Sequence, residues 1–344
     1  MNNRICLLFL LLTAAAGAAE PDLILHDGKI VTVDKEFSIR QAIAVEGDRI
    51  VAVGTNEEVQ KLKGPRTTVI DLKGKMVLPG LIDSHVHPTG AAMTDFDHTL
   101  PDFETIADVL KYIRERAKVV PEGQWITLRQ VFITRLKEQR YPAKAELDEA
   151  APKHPVLYST GPDASINTLA LKLSKIDKDF KVTDGGAGYA EKDPKTGEPT
   201  GILRNCTRYV KASGGSGRQA TEADRLDRLR ELFADYNSVG LTGVIDRNAG
   251  SGDLERYQKL LDAGKLTVRV RASYGVNGSA AVDQVRKGIA AAAEHPLARG
   301  GPMLRIIGVK TFLDGGMLTG SAYMREPWGV SKIYSIDDPK YRGL

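Results

Sequence analysis

Leu78-Pro79-Gly80-Leu81-Ile82-Asp83-Ser84-His85-Val86-His87 is the stretch from which the rest of the chain can be read. A Pro-Gly turn leads into an apolar pair and the run closes on polar residues, the pattern of a buried strand with functional groups at its carboxyl end. Two residues apart on a strand, His85 and His87 point to one face with backbones roughly 6 to 7 Å apart. Imidazoles reaching inward from there can share one ion at about 2.0 to 2.1 Å, which makes the two histidines candidate metal ligands. A bare His-x-His pair is more often structural than metal-binding. Its place here, at the end of a strand that opens an α/β region, is where barrel enzymes carry their sites.

On the amino-terminal side, residues 22–78 alternate apolar positions with Gly and Asp punctuation. This predicts strands over 22–26, 29–34, 41–46, 49–53, 68–71 and 75–78, turning at Asp27-Gly28, Gly47-Asp48 and Lys73-Gly74. Strands joined by such tight turns predict a small antiparallel sheet. On the other side, residues 102–119 place Ile106, Val109, Leu110 and Ile113 at helical spacing, and residues 125–208 mix short strands with Pro and Gly turns, an α+β insertion. Ser213-Gly214-Gly215-Ser216-Gly217 has the composition of a linker. After it, helices over 221–239, 253–263 and 280–295 alternate with strands over 241–246, 267–274 and 304–312, which predicts a parallel sheet built from βαβ units.

The chain has 344 residues, 42% apolar, 27% charged and 6% aromatic, a globular composition that excludes disorder, collagen and coiled coil. A net charge of +4 is too small and too scattered to predict nucleic acid or a membrane surface as partner. The first residues form an export signal: Asn2-Asn3-Arg4, the apolar run from Ile5 to Leu12, then Ala16-Gly17-Ala18. That run is far shorter than the roughly 20 residues needed to span a bilayer, and Cys6 lies inside it, so no lipid or membrane anchor is expected after signal removal. A mature, exported, periplasmic or secreted chain is predicted to begin near Ala19 or Glu20. Cys206 is then its only cysteine, which excludes an intrachain disulfide and reads as a small buried side chain.

The 78–87 segment resembles the strand-1 signature of the amidohydrolase superfamily. Within that superfamily the chain is most similar to the amidohydrolase-3 group of metal-dependent hydrolases. Tyr141-Pro142-Ala143-Lys144-Ala145-Glu146-Leu147-Asp148, Thr196-Gly197-Glu198-Pro199-Thr200-Gly201, Gly240-Leu241-Thr242-Gly243-Val244-Ile245-Asp246 and Val309-Lys310-Thr311-Phe312-Leu313-Asp314-Gly315-Gly316 carry the likeness, in order, from about Asp22 onward. The resemblance implies a TIM-type (β/α)8 barrel with an N-terminal β-sandwich module. Its parts here would be a signal peptide (1–19), the sandwich part (20–79), strand 1 with the metal motif (80–99), the insertion (100–217) and barrel units up to strand 4 (218–344).

It also implies one or two divalent ions, Zn first and Mn or Fe as alternatives, held by His85, His87 and a carbamylated Lys310. A free ammonium has no lone pair and repels a cation, whereas a carbamate offers two anionic oxygens. Asp83 and Asp314 would orient the ligands, although an Asp capping the next turn is the ordinary reading of each. The activity implied is hydrolysis of a non-peptide C–N bond in a small formamide, acylated amine or cyclic amide by a metal-activated hydroxide. A C–O hydrolase on the same site and a non-catalytic remnant acting as a binding module are the alternatives. Two departures stand out: Pro162 takes the place of a family histidine before Asn167, and only four barrel strands are countable. The family's later histidines and its strand-8 proton-shuttling Asp would then lie past Leu344. A chain cut short in this way would be inactive alone, with its catalytic acid unidentified, a weak metal binder and prone to aggregate through an open edge.

Overall fold

The computed structural model describes residues 20–129, 131–212 and 219–344. The export signal and the Ser-Gly linker predicted above lie outside them. The chain divides into two compact units, one ending at Leu81 and the other running from Ile82 to Leu344. Among the described residues no helix is long and apolar enough to cross a membrane.

The first unit holds β1 (Leu23–His26), β2 (Lys29–Val31), β3 (Ile39–Arg40), β4 (Ala42–Glu46), β5 (Arg49–Gly54), α1 (Asn56–Gln60), β6 (Thr68–Asp71) and β7 (Met76–Val77). These form two small sheets, ordered β5-β4-β1-β6 and β3-β2-β7. The single antiparallel sheet predicted from the turns is corrected here to two mixed ones. β1 pairs with β4 antiparallel but with β6 parallel, and β2 with β7 parallel. The turns account for the difference. Gly47-Asp48 does join two partners, since Glu46 faces Arg49 across the ladder. Asp27-Gly28 joins strands of different sheets and so is a corner, with Asp27 itself in the left-handed region at φ 53°. The sequence reading also passed over α1, which a Thr55–Glu58 capping box starts: Thr55 N donates to Glu58 Oε2 at 2.9 Å and Glu58 N to Thr55 Oγ1 at 3.2 Å. Ile24, Ala42, Ala44 and Val59 form this unit's core.

The second unit begins with β8 (Leu81–Val86), α2 (Pro88–Ala91) and α3 (Ile106–Val119), followed by β9 (Ile126–Arg129), α4 (Lys144–Ala150), β10 (Val156–Ser159), β11 (Ala164–Ile166), α5 (Thr168–Ser174), β12 (Tyr189–Lys192) and β13 (Pro199–Arg204). The insertion is therefore α+β, as its composition predicted, with a five-stranded sheet ordered β12-β13-β11-β10-β9. α3 starts later than predicted because Thr105 caps it, accepting from Asp108 N at 3.1 Å. It buries Val109 and Ile113 against Leu128, Leu147 and Tyr158.

α6 (Glu222–Ser238), β14 (Leu241–Ala249), α7 (Ser251–Asp262), β15 (Arg269–Gly275), α8 (Val282–Glu294) and β16 (Leu304–Lys310) then alternate as predicted. β14 and β15 are parallel, as are β15 and β16, in a sheet ordered β16-β15-β14-β8. Leu229, Phe233, Val244, Tyr257, Val270 and Ile306 form the core between this sheet and its helices.

The four strands form an open sheet, not a closed barrel. β8, predicted to be buried, is an edge strand with Leu81 and Ile82 52% and 66% exposed. On the opposite edge Ile307 and Val309 are exposed as well. A strand with a neighbour on one side only cannot cover apolar side chains that closure would bury.

Candidate active site

The carboxyl ends of β8 and β14 meet at the histidine pair. Pro88 occupies the first turn of α2, so the chain swings away directly after His87. His85 N donates to Asp83 Oδ1 at 2.9 Å, and Arg247 Nε donates to the Ser84 carbonyl at 2.8 Å, fixing the backbone on either side of the first histidine. The two imidazoles stand edge to face, centroids 5.5 Å apart.

Behind His87 lies a residue to which the sequence reading gave no role. Asp246 Oδ1 is 3.5 Å from His87 Nδ1. Asp246 is 1% exposed, and its other oxygen accepts from the Tyr257 hydroxyl at 2.8 Å. Asn248 N donates to Oδ1 at 3.1 Å. The β14–β15 register shifts between Asp246 and Ala249, a bulge that re-aims the end of the strand. Burial, and then the Asp246 charge, push the Tyr257 phenol well above its ordinary range, so it keeps its proton and donates. A carboxylate facing Nδ1 leaves Nε2 of His87 for a ligand. Asp246 closes one of the quoted motifs at the carboxyl end of a barrel-type strand, and that position was the available signal.

His85 and His87 open on a cavity of about 690 Å³ whose opposite wall comes from the insertion and the segment leading to it. That wall includes His98, Leu100, Phe103, Tyr112, Leu128 and Arg129. The sequence reading left His98 in a polar loop. The structure instead hydrogen-bonds its Nε2 to Tyr112 at 2.7 Å and its Nδ1 to Asp97 at 2.9 Å.

The other predicted residues are placed differently. Lys310 ends β16, three strand spacings or about 14 Å from β8 along the sheet, and its Nζ lies 4.7 Å from the centre of the Phe312 ring. Asp314 Oδ2 accepts from Tyr323 N at 2.9 Å, closing a loop beyond β16. The structure thus groups His85, His87, Asp83 and Asp246 at the end of β8, while Lys310 ends β16 and Asp314 lies in the loop beyond it. Two imidazoles with a carboxylate behind one of them suit a divalent ion of the zinc type. Among the described residues, the one grouping of three His, Cys or acidic ligand atoms within reach of a single ion is His26, Asp27 and Asp71 in the first unit. These are engaged in turns: His26 Nδ1 with Asp27 at 2.8 Å, and Asp71 with Lys73 N at 2.7 Å.

Comparison with known proteins decides the family. A model of the amidohydrolase-3 group, described as "Amidohydrolase family", matches residues 68–335. The chain belongs to the amidohydrolase family. This amidohydrolase is 33% identical over 263 residues to the N-substituted formamide deformylase of Arthrobacter pascens, an alignment covering 74% of this chain and 47% of that protein. It is 26% identical over 311 residues to the exoenzymes regulatory protein AepA of Pectobacterium carotovorum, covering 88% and 65%. The chain therefore spans about half to two thirds of the length of these relatives. In fold it is similar to an uncharacterized metal-dependent hydrolase from Pyrococcus furiosus, with a TM-score of 0.55 at 21% identity over 94% of this chain and 61% of that one.

Proposed function

We propose that this amidohydrolase is an exported, metal-dependent hydrolase of a non-peptide C–N bond, acting on a small formamide, acylated amine or cyclic amide. The observation that carries the reading is the His85–His87 pair, held at a strand end and facing a cavity of substrate size. The formamide-cleaving relative supports the choice of C–N over C–O.

His85 and His87 would hold the ion, and Lys310, as a carbamate, is the further ligand proposed. A divalent ion bound there, Zn or in its place Mn or Fe, lowers the pKa of water toward about 7 and polarises a carbonyl. The chain's own contribution is orientation of the ligands. Asp246 faces Nδ1 of His87 and so directs Nε2 outward, while Tyr257 fixes Asp246 from the core side. Asp83 holds the His85 backbone amide. The cavity lining would receive the rest of the substrate.

The test is made on the protein purified from the organism that produces it, assayed on matched amides and esters. Release of amine that a chelator stops and added zinc restores is the expected result. Amine release indifferent to chelation, or esterase activity with no amidase activity, would overturn the reading.

A further inference from the structure

The lining that carries His98 and Tyr112 turns mostly hydrocarbon toward the cavity, and these two polar side chains are paired with one another. His98 Nδ1 lies 2.9 Å from an Asp97 oxygen to which Arg116 also donates at 3.1 Å. His98 Nε2 and the Tyr112 hydroxyl are hydrogen-bonded at 2.7 Å. Burial pushes the Tyr112 phenol above its ordinary range, so it keeps its proton. Both imidazole nitrogens and the phenol are therefore occupied before a ligand arrives. The apolar lining includes Leu100, Leu128, Val131 and the Tyr112 and Phe103 rings, the last two packed edge to face with centroids 5.5 Å apart, and Thr94, Thr127 and Tyr236 add hydroxyls. Arg129 is the one Lys or Arg among the described lining residues, and it is exposed.

Such a wall gains from covering apolar surface. A charged ligand would find the His98–Tyr112 pair there already engaged. At about 690 Å³ the cavity is also far too large for a formyl or acetyl group alone and lies in the range that encloses a whole small organic molecule. We infer that the substrate carries a neutral, ring-bearing hydrocarbon substituent that packs on Phe103, Leu100 and Val131 while its amide faces His85 and His87. The placing of the amide rests on the hydrolase reading; the preference of the wall does not.

The probe is N-(1-naphthylmethyl)formamide, whose fluorescence reports binding without turnover, added to the metal-free protein. Neutral N-(cyclohexylmethyl)formamide should displace it and anionic N-formylglycine should not. Phe103→Ala should weaken probe binding by about tenfold or more, and Arg129→Gln should leave it unchanged. If the Phe103 variant fails to fold, Val131→Asp, at a half-buried position, should weaken binding in the same way by putting a charge on the wall. Displacement by N-formylglycine as effective as by the cyclohexyl compound, with loss of binding in Arg129→Gln, would overturn the inference and make the cavity a carboxylate reader. The metal-loaded enzyme separates the two readings. Probe binding at this wall with no formamide hydrolysed refutes the hydrolase reading alone. Hydrolysis of both formamides with equal kcat/KM refutes the wall preference alone.

Discussion

Nδ1 of His87 stands 3.5 Å from the carboxylate of Asp246, and the Tyr257 hydroxyl holds that carboxylate from the core side at 2.8 Å. This chain of three side chains runs from the interior of the α/β layer to the mouth of the cavity. It ties the orientation of one candidate ligand to residues that touch no substrate. Groups that orient a metal-binding histidine are typically worth 10- to 100-fold in affinity. Asp246→Asn is therefore expected to weaken zinc binding by about that range, read by competition with a chromogenic chelator. Unchanged affinity would remove Asp246 from the site.

Tyr257 is 0% exposed and donates to a charged acceptor. Removing the hydroxyl in Tyr257→Phe leaves one Asp246 oxygen without that donor, at an expected cost of about 1.5 to 3 kcal/mol in urea unfolding. A loss below about 0.5 kcal/mol would mean that the hydrogen bond contributes nothing to the fold.

The insertion has its own buried charge pair. Arg204 Nη1 lies 3.5 Å from Asp163 Oδ2, its Nη2 donates to the Tyr334 carbonyl at 2.8 Å, and its guanidinium stacks over the Tyr141 ring. Arg204→Ala leaves Asp163 as an unpaired buried carboxylate and should cost about 3 to 5 kcal/mol. Burial pushes the Asp163 carboxyl above its ordinary value, against the opposing pull of the Asn205 amide and of Arg204. The sign of the pH effect follows from that direction. A group whose folded pKa is raised binds more protons folded than unfolded, so its contribution favours the folded state at low pH and weakens as pH rises through the raised value. Removing Arg204 raises that value further, so the variant should lose less stability at pH 4.5 than at pH 7. Equal losses at both would contradict the assignment.

Cys206 is buried, and its thiol, pushed up to about 11 chiefly by burial, donates to the Tyr189 carbonyl at 3.2 Å. Iodoacetamide at pH 8 should leave it unmodified in the native protein and label it fully in urea. Rapid native labelling would show that the thiol is accessible.

The sequence disclosed the regular part of this molecule because each layer repeats one simple pattern. Thr221 followed by a polar-apolar run marked α6, and apolar strands between helices marked β14, β15 and β16. What stayed hidden depended on pairing over distance. The parallel partnership of β1 with β6 spans more than 40 residues, from Leu23 to Thr68, and leaves no local trace. Likewise His85 and His87 declare themselves by spacing, whereas Asp246 and His98 take part in the site only because β14 and the segment before α3 fold back toward β8. Lys310 stands at the end of β16, the strand end at which its motif placed it.

Where the protein holds a metal ion decides whether the end of β8 is its active site. Zinc bound per chain, measured by equilibrium dialysis, should be lost in both His85→Ala and His87→Ala. It should persist in His26→Ala, which disrupts the grouping in the first unit. Zinc retained by a His85→Ala/His87→Ala double variant, or lost only in His26→Ala, would contradict the assignment of the active site to the end of β8.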